Sequence, residues 1–178
     1  MTYCTHRQPP TNQVVVLRQQ DDHDRPFLQD LYLSRRWAEV SAVPGWNDAQ
    51  RRAFLLAQAE LQRQHYEKHY PAASFLIIEQ AGTSIGRLCV DRQAHDVRIV
   101  DIALLPAWHG QGIGTQLLRS LLAEADAERQ SCSLSVEQGN PARRLYERLG
   151  FEPGANSGLY TQMQRPARPV AKHNLDNP

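Results

Sequence analysis

Three glycines alternate at positions 110, 112 and 114 in the stretch "PAWHGQGIGTQLL" (106–118), directly before a leucine-rich segment. Glycine inside a helix costs about 0.5–1 kcal/mol relative to alanine, so this spacing needs a physical reason. A glycine backbone can approach a ligand closely because it has no Cβ. The first four N–H groups of a helix have no partner within it and carry partial positive charge. A strand, a glycine-rich turn and a helix start in this order predict a phosphate-binding turn.

Two common phosphate-binding motifs do not fit the stretch. A P-loop places a lysine between its last glycine and a serine or threonine, whereas Thr115 follows Gly114 directly. The dinucleotide fingerprint has the spacing G-x-G-x-x-G, and here the spacing is G-x-G-x-G. ATP, GTP and NAD are therefore disfavoured, and a glycine turn that only packs tightly is the structural alternative.

A second motif lies in "SLSVEQGNPARRLYERLGF" (133–151). Asn140 followed by Pro141 has the pattern of a helix N-cap with proline at the first helical position. Tyr146 follows six residues later, in a short amphipathic segment. Taken singly, Asn140 is explained by capping and Tyr146 by packing.

The two stretches together resemble the GNAT superfamily of acyl-CoA-dependent N-acyltransferases. That family carries R/Q-x-x-G-x-G/A after a strand and, downstream, an asparagine, a Leu-Tyr pair and a Gly-Phe pair. The first motif reads "HGQGIG" here (109–114), with His109 where the family has arginine or glutamine, and the second runs from Asn140 to Phe151. The resemblance covers roughly residues 14–164. It implies an α/β (α+β) fold, with a mixed, mostly antiparallel central sheet flanked by helices.

The resemblance also implies how the chain binds coenzyme A. The backbone of Leu104 and Leu105 would pair with the pantetheine arm, where a bulge would splay this strand from "SCSLSV" (131–136). Asn140 would bond the same arm while capping its helix. Tyr146 would be the general acid to the departing thiolate, since a phenol with a pKa of about 10 carries its proton at neutral pH. The diphosphate would lie on the amides of Gly110, Gln111, Gly112, Ile113, Gly114 and Thr115.

Acyl transfer to an amine also requires that the amine lose a proton, because an alkylammonium has a pKa of about 10.4. Asp101 interrupts the apolar strand "RIVDIALL" and is the first candidate for the base. The alternative is an aspartate satisfied by backbone or by an arginine. Glu137 is the second candidate, and some family members use a water chain.

By the same resemblance, the acceptor groove would lie between the first two helices and the late strands. The loop at 39–52 and the turn at 154–160 would border it. Trp46 and Trp37 could form an apolar wall, although core packing explains Trp37 better. Arg51 and Arg52 would suit an acceptor that carries a carboxylate.

Hydrophobic periodicity predicts the elements that position these residues. Residues 1–12 read as a flexible leader, 13–164 as a single acyltransferase domain and 165–178 as a disordered tail. We expect strands at 14–18, 74–80, 84–92, 97–105 and 131–136, closing strands in "FEP" and "GLYTQMQ", and helices within 21–40, 47–69, 112–128 and 141–150. The three strands between 74 and 105 should form an antiparallel meander.

Composition excludes several functional classes. The 178 residues contain 20 Lys and Arg against 19 Asp and Glu, a balance that argues against nucleic acid or an anionic membrane as partner. No apolar run approaches the roughly 20 residues of a membrane helix, and the N-terminus lacks a signal-peptide core. The odd, scattered Cys4, Cys89 and Cys132 indicate buried thiols in a reducing cytoplasm. His65 and His69 lack a third ligand, so no metal is expected.

The sequence therefore predicts a cytoplasmic N-acetyltransferase that transfers an acetyl group from the co-substrate acetyl-CoA directly to a primary amine of a small molecule or protein. The alternative is a catalytically silent acyl-CoA-binding or scaffolding module. Family members are often dimers, so a homodimer is compatible with the resemblance. The acceptor and the acyl chain length stay open.

Overall fold

A single seven-stranded sheet organises residues 14–168, the part of the chain that the computed structural model describes. The strand order is β1-β2-β3-β4-β5-β7-β6, and every neighbouring pair is antiparallel except β4 and β5, which are parallel. This confirms the mixed, mostly antiparallel sheet. The elements in chain order are β1 (Val15–Gln19), α1 (Arg25–Ser41), α2 (Asp48–His69), β2 (Ser74–Gln80), β3 (Thr83–Arg92), β4 (Asp96–Leu104), α3 (Ile113–Ala127), β5 (Ser131–Glu137), α4 (Arg143–Arg148), β6 (Glu152–Ser157) and β7 (Tyr160–Arg165).

Local signals set the start of each of the first two helices. Asn47 and Gln50 form a capping box before α2, each side chain accepting from the other's backbone N–H at 2.9 Å. The acidic run predicted to open α1 instead forms a single 3₁₀ turn at 22–24, and α1 begins at Arg25. Arg18 clamps Asp24 with two hydrogen bonds of 2.6 and 2.7 Å, which ties this turn to β1.

The helices cover the two faces of the sheet. On one face, the apolar side of α3 packs with alternate residues of β4 and β5, among them Val97, Ile99 and Leu134. On the other face, Gln62 of α2 bonds Arg87 of β3, while a smaller apolar cluster holds α1 against α2. Side chains of a strand alternate between faces, so the strands that carry the α3 core also present polar groups toward α1 and α2.

β4 and β5 pair over only four residues and then separate. Their ladder runs from Asp96–Ser131 to Ile99–Leu134, although both strands continue beyond it. On its other edge β4 pairs with β3, and there Val100 is an extra residue between two registered pairs. A bulge of this kind increases local twist. The predicted splay is confirmed, but the bulge lies at Val100 and not at Leu104–Leu105.

Arg165, which the sequence assigned to the tail, is the last residue of β7. It is buried and forms two hydrogen bonds of 2.8 Å to Asp126. Cys89 and Cys132 are buried free thiols, and burial raises the pKa of each to about 12. The leader at 1–12, Cys4 and residues 169–178 of the tail lie outside the described residues.

Two properties of residues 14–168 concern membranes and metals. No helix there combines the length and the apolar character needed to cross a bilayer. No group of three or more metal-binding side chains is found in the same residues. The rings of His65 and His69 stack at 4.1 Å between centroids, and His69 also hydrogen-bonds the His65 carbonyl through Nδ1.

Candidate active site

The separation of β4 from β5 opens a groove of about 600 Å³. Its two strand walls are residues 98–104 of β4 and 134–137 of β5. Asn140 and Tyr146 line it on one side, and side chains of α1, α2 and β7 line it on the other. A groove bordered by groups from both faces of the sheet allows two reactants to approach each other from opposite sides.

The glycine turn leaves the start of α3 open. Gly110 and Gly112 have φ of +73° and +81°, a left-handed conformation that glycine adopts without a Cβ clash. The first backbone bond of α3 joins the Gln116 N–H to the Gly112 carbonyl, so the earlier amides have no helical acceptor. Apart from the adjoining backbone of α3 and the chain neighbours of Gly114, no heavy atom lies within 4 Å of the position that a Cβ on Gly114 would take. The turn therefore has the geometry expected of an anion site.

The two side chains of the turn point back toward preceding residues. His109 Nε2 lies 2.9 Å from the Leu104 carbonyl oxygen, to which it donates when that nitrogen is protonated. Gln111 Nε2 donates to the Ala107 carbonyl at 2.9 Å. His109 thus holds the end of β4, which differs from an arginine or glutamine directed toward a ligand.

Asn140 and Tyr146 lie on the α4 side of the groove. Asn140 Oδ1 accepts from the Ala142 N–H at 2.9 Å, so the expected capping role is present in the turn before α4. Tyr146 is buried and packs edge-on against Phe151, with ring centroids 6.0 Å apart. Burial raises the pKa of Tyr146; the negative charge of Asp101 raises it further, and Arg35 opposes. The phenol therefore keeps its proton at neutral pH.

Asp101 is held in a buried ion-pair cluster. Its carboxylate accepts from Arg87 Nε at 3.0 Å, and its other oxygen lies 3.5 Å from Arg35 Nη1. Arg87 also donates to Gln62 at 2.8 Å and lies over the Tyr66 ring, 5.5 Å from its centroid. Burial alone would raise the pKa of Asp101, but Arg87 and Arg35 outweigh it and lower that pKa. A carboxylate held in this way is a weak proton acceptor, so the arginine-satisfied alternative describes Asp101 better than the role of base.

Glu137 is the other carboxylate that the sequence proposed as a base. It lies at the end of β5, lines the groove and has a side chain 39% exposed. Its carboxylate is 3.5 Å from Arg36 Nη1, whereas Arg36 bonds Glu39 more closely, at 2.8 Å. Glu137 is thus less tightly paired than Asp101 and more accessible to a substrate.

Trp46 does not line the groove, so the structure does not bring it together with the other predicted site residues. It packs edge-on against Phe54, with centroids 5.2 Å apart, in the connection from α1 to α2. Arg51 bonds the carbonyls of Val40 and Val43 and supports the same connection. The side of the groove where the acceptor is expected is lined by Ser157 and Tyr160, from the predicted border at 154–160. It is also lined by residues that the sequence did not single out: Tyr32, Arg35, Arg36, Gln62, Tyr66, Tyr70, Arg98 and Gln162.

Comparisons with known proteins agree with this architecture. Residues 71–153 match the family model of the acetyltransferase (GNAT) domain. A curated relative, the putative [ribosomal protein bS18]-alanine N-acetyltransferase of Bacillus subtilis (strain 168), is 37% identical over 87 residues, which are 47% of this chain. The match spans 57% of that relative's length.

Solved structures share the fold at low sequence identity. The PaiA N-acetyltransferase of Thermoplasma acidophilum, in complex with coenzyme A, has a TM-score of 0.63 and 17% identity over 86% of this chain and 99% of that one. The ribosomal-protein-S18-alanine N-acetyltransferase of Escherichia coli has a TM-score of 0.58 and 19% identity, covering 92% of this chain and 100% of its own. The sheet and its helices are thus the fold of N-acetyltransferases. Residues 71–153 resemble the acetyltransferase (GNAT) domain, and the solved structures share the fold of the whole sheet.

Proposed function

We propose that this protein is an N-acetyltransferase that transfers the acetyl group of acetyl-CoA directly to a primary amine of a small molecule or a protein. The observation that carries the proposal is the groove between β4 and β5. It extends from His109, beside the open glycine turn, past Asn140 to the buried phenol of Tyr146. The GNAT match and the coenzyme A complex of a protein with the same fold support the same function.

Acetyl-CoA would bind along the α3 end of the groove. The amides at 110–115 suit its diphosphate, since the helix start is both positive and sterically open. The pantetheine arm would follow the free edge of β4. Two backbone groups near its end already have partners, because Leu105 N–H faces β3 and donates to the Ile85 carbonyl, while Leu104 O accepts from His109. The arm therefore pairs with other groups of this edge or displaces the His109 ring, and Asn140 Nδ2 offers a further donor.

The side chains of the groove supply the proton transfers. A neutral amine attacks the thioester carbonyl, the C–N bond forms, and the C–S bond breaks as the tetrahedral intermediate collapses. Tyr146 gives its proton to the departing thiolate. Glu137, directly or through water, accepts the proton that the amine must lose. Asp101 acts as a positioning residue that pairs with Arg87 and holds Arg35 on the acceptor side.

A free-thiol assay tests the proposal. Wild-type protein with acetyl-CoA is assayed against a panel of primary amines, and mass spectrometry identifies the amide product. Tyr146→Phe should lower turnover strongly, whereas Tyr160→Phe, which removes another phenol of the same groove, should not. If the protein binds the coenzyme but releases no thiol from acetyl-CoA with any amine, the silent acyl-CoA-binding module is favoured. Neither binding nor turnover would contradict both functions.

A further inference from the structure

We propose that the acceptor is a small amino carboxylate and that Arg98 binds its carboxylate. This inference rests on the proposed function and names the substrate class of the same groove. It starts from charge, because three arginines line the acceptor side: Arg35, Arg36 and Arg98. Their partners differ in a way that singles out one of them.

Arg98 has no carboxylate partner within the ion pairs of residues 14–168. Arg35 pairs with Asp101, and Arg36 pairs with Glu39 and Glu137. Arg98 Nη2 donates instead to the neutral Ser135 hydroxyl at 2.6 Å.

The acidic neighbour of Arg98 on the same strand is already engaged. Asp96 lies two residues earlier on β4, and its two oxygens accept from the hydroxyls of Ser131 and Ser133 at 2.6 and 2.5 Å. Arg98 is therefore the groove arginine whose charge is not matched by a carboxylate.

The position of Arg98 suits recognition of a substrate. It lies one residue before Ile99, the last residue of β4 that pairs with β5, and its bond to Ser135 crosses the point where the strands part. Its half-buried side chain lines the groove together with Tyr70 and Gln162. A guanidinium is a planar fork with five donors, so one hydrogen bond to a serine leaves donors for a bidentate carboxylate.

The distance along β4 limits the size of the acceptor. Tyr146 lines the same groove as Asp101 and Arg35, which places the proposed reacting centre on the Asp101 stretch of β4. Asp101 is three residues from Arg98, so at about 3.3 Å per residue the carboxylate would lie within about 10 Å of the amine. That span fits an amino acid or a short ω-amino acid.

The experiment compares amino carboxylates with their carboxamides. The pairs are glycine and glycinamide, β-alanine and β-alaninamide, and 4-aminobutyrate and 4-aminobutyramide. For each compound, kcat/KM is calculated from the concentration of the unprotonated amine. We expect at least one acid to exceed its amide by about tenfold or more, since hydrogen bonds to charged groups contribute enough for about 10- to 100-fold. Arg98→Gln should remove most of that preference, and Arg98→Lys should retain part of it.

Two further variants separate recognition from a structural role. Ser135→Ala removes the strand-to-strand bond of Arg98, and the preference for the acid should survive it. Arg129→Gln changes an exposed arginine just beyond the C-terminal end of α3, far along the helix from the glycine turn, and should leave the preference intact. Thermal unfolding of every variant checks that the fold is retained. Loss of the preference in Ser135→Ala equal to that in Arg98→Gln would overturn the inference.

The outcomes also distinguish this inference from the proposed function. Efficient acetylation with no preference for any acid over its amide overturns the inference and leaves the acetyltransferase standing. Absence of acetylation with every amine overturns the proposed function. The same six probes are then titrated in saturation-transfer NMR with coenzyme A present. Acid-selective binding that Arg98→Gln abolishes supports the carboxylate site, and unselective or absent binding overturns it.

Discussion

Replacing Gly114 by alanine separates the stability of α3 from its proposed role in binding coenzyme A. Gly114 is the second residue of α3, its φ is not positive, and nothing lies within 4 Å of the added Cβ. Alanine therefore fits without a clash and removes the conformational cost of glycine, about 0.5–1 kcal/mol. For a domain of this size 1 kcal/mol shifts Tm by about 2–4 °C, so we expect an increase of about 1–4 °C without ligand.

The same methyl group should weaken binding of the coenzyme. It would project from the first turn of α3, where the diphosphate is proposed to lie against the amides. Overpacking by a single small group costs about 1–3 kcal/mol. That range corresponds to an increase in Kd of about 5- to 150-fold. Differential scanning fluorimetry measures the first effect and isothermal titration calorimetry with coenzyme A measures the second, so one substitution should change stability and affinity in opposite senses.

Two matched variants make this result interpretable. Ser120→Ala, on the exposed side of α3, should raise stability slightly and leave coenzyme affinity unchanged. Gly112→Ala forces a Cβ into a left-handed conformation at φ +81° and should lower stability by about 1–2 kcal/mol. If Gly114→Ala binds coenzyme A as tightly as the wild type, the turn is a packing feature and the proposed diphosphate site is wrong.

Further predictions concern the acid and the ion-pair cluster. Tyr146→Phe should lower kcat by about 10²–10⁴ and leave the KM for acetyl-CoA within about threefold, measured by thiol release. Because the pKa of Tyr146 is raised above 10.0, its ionisation should not reduce the rate at mildly alkaline pH, and a Tyr146-dependent decline centred below about pH 9 would contradict the assignment. Arg87→Met should cost about 3–5 kcal/mol in urea unfolding, since it leaves Asp101 buried with only the longer Arg35 contact. The pKa of Asp101 is lower in the folded protein than in the unfolded chain. The ionised carboxylate therefore stabilises the fold at pH values above the unfolded pKa, and this stabilisation is lost as pH falls through the folded pKa. The difference in the free energy of unfolding between wild type and Asp101→Asn should thus shrink below about pH 4.

Local signals predicted most of the helices and strands. Asn47 and Pro71 bracket α2, and the alternation of β2 to β4 predicted the meander. The bulge at Val100 could not be predicted, because an extra residue is defined only by the register of the neighbouring strand. α4 is shorter than expected, since residues 140–142 form a capped turn before it.

In the candidate site too, the sequence predicted the residues that lie in contiguous motifs and not those whose role depends on contacts between distant elements. The glycine turn, Asn140 and Tyr146 come from contiguous motifs, and the structure brings the latter two into one groove. The partner of Asp101 comes from another strand, so an isolated aspartate in an apolar run could be assigned to catalysis or to an ion pair with equal justification. The position of Trp46 outside the groove, against Phe54 of α2, could not be predicted either, because the path of the connection from α1 to α2 is not encoded in a local motif.

The bulge at Val100 connects the groove to the charge cluster. In a regular strand, residues three apart point to opposite faces. Ile99 and Ile102 both pack with the α3 core, so the extra residue between them lets Arg98 and Asp101 share the opposite face.

The same bulge helps to leave two strand edges without a shared ladder beyond Ile99 and Leu134. Backbone groups at such edges require hydrogen-bond partners, from water or from a ligand. An extended arm with amide groups can supply them as an added strand would. One inserted residue thus accounts both for the opening between β4 and β5 and for the placement of the acceptor-side charges.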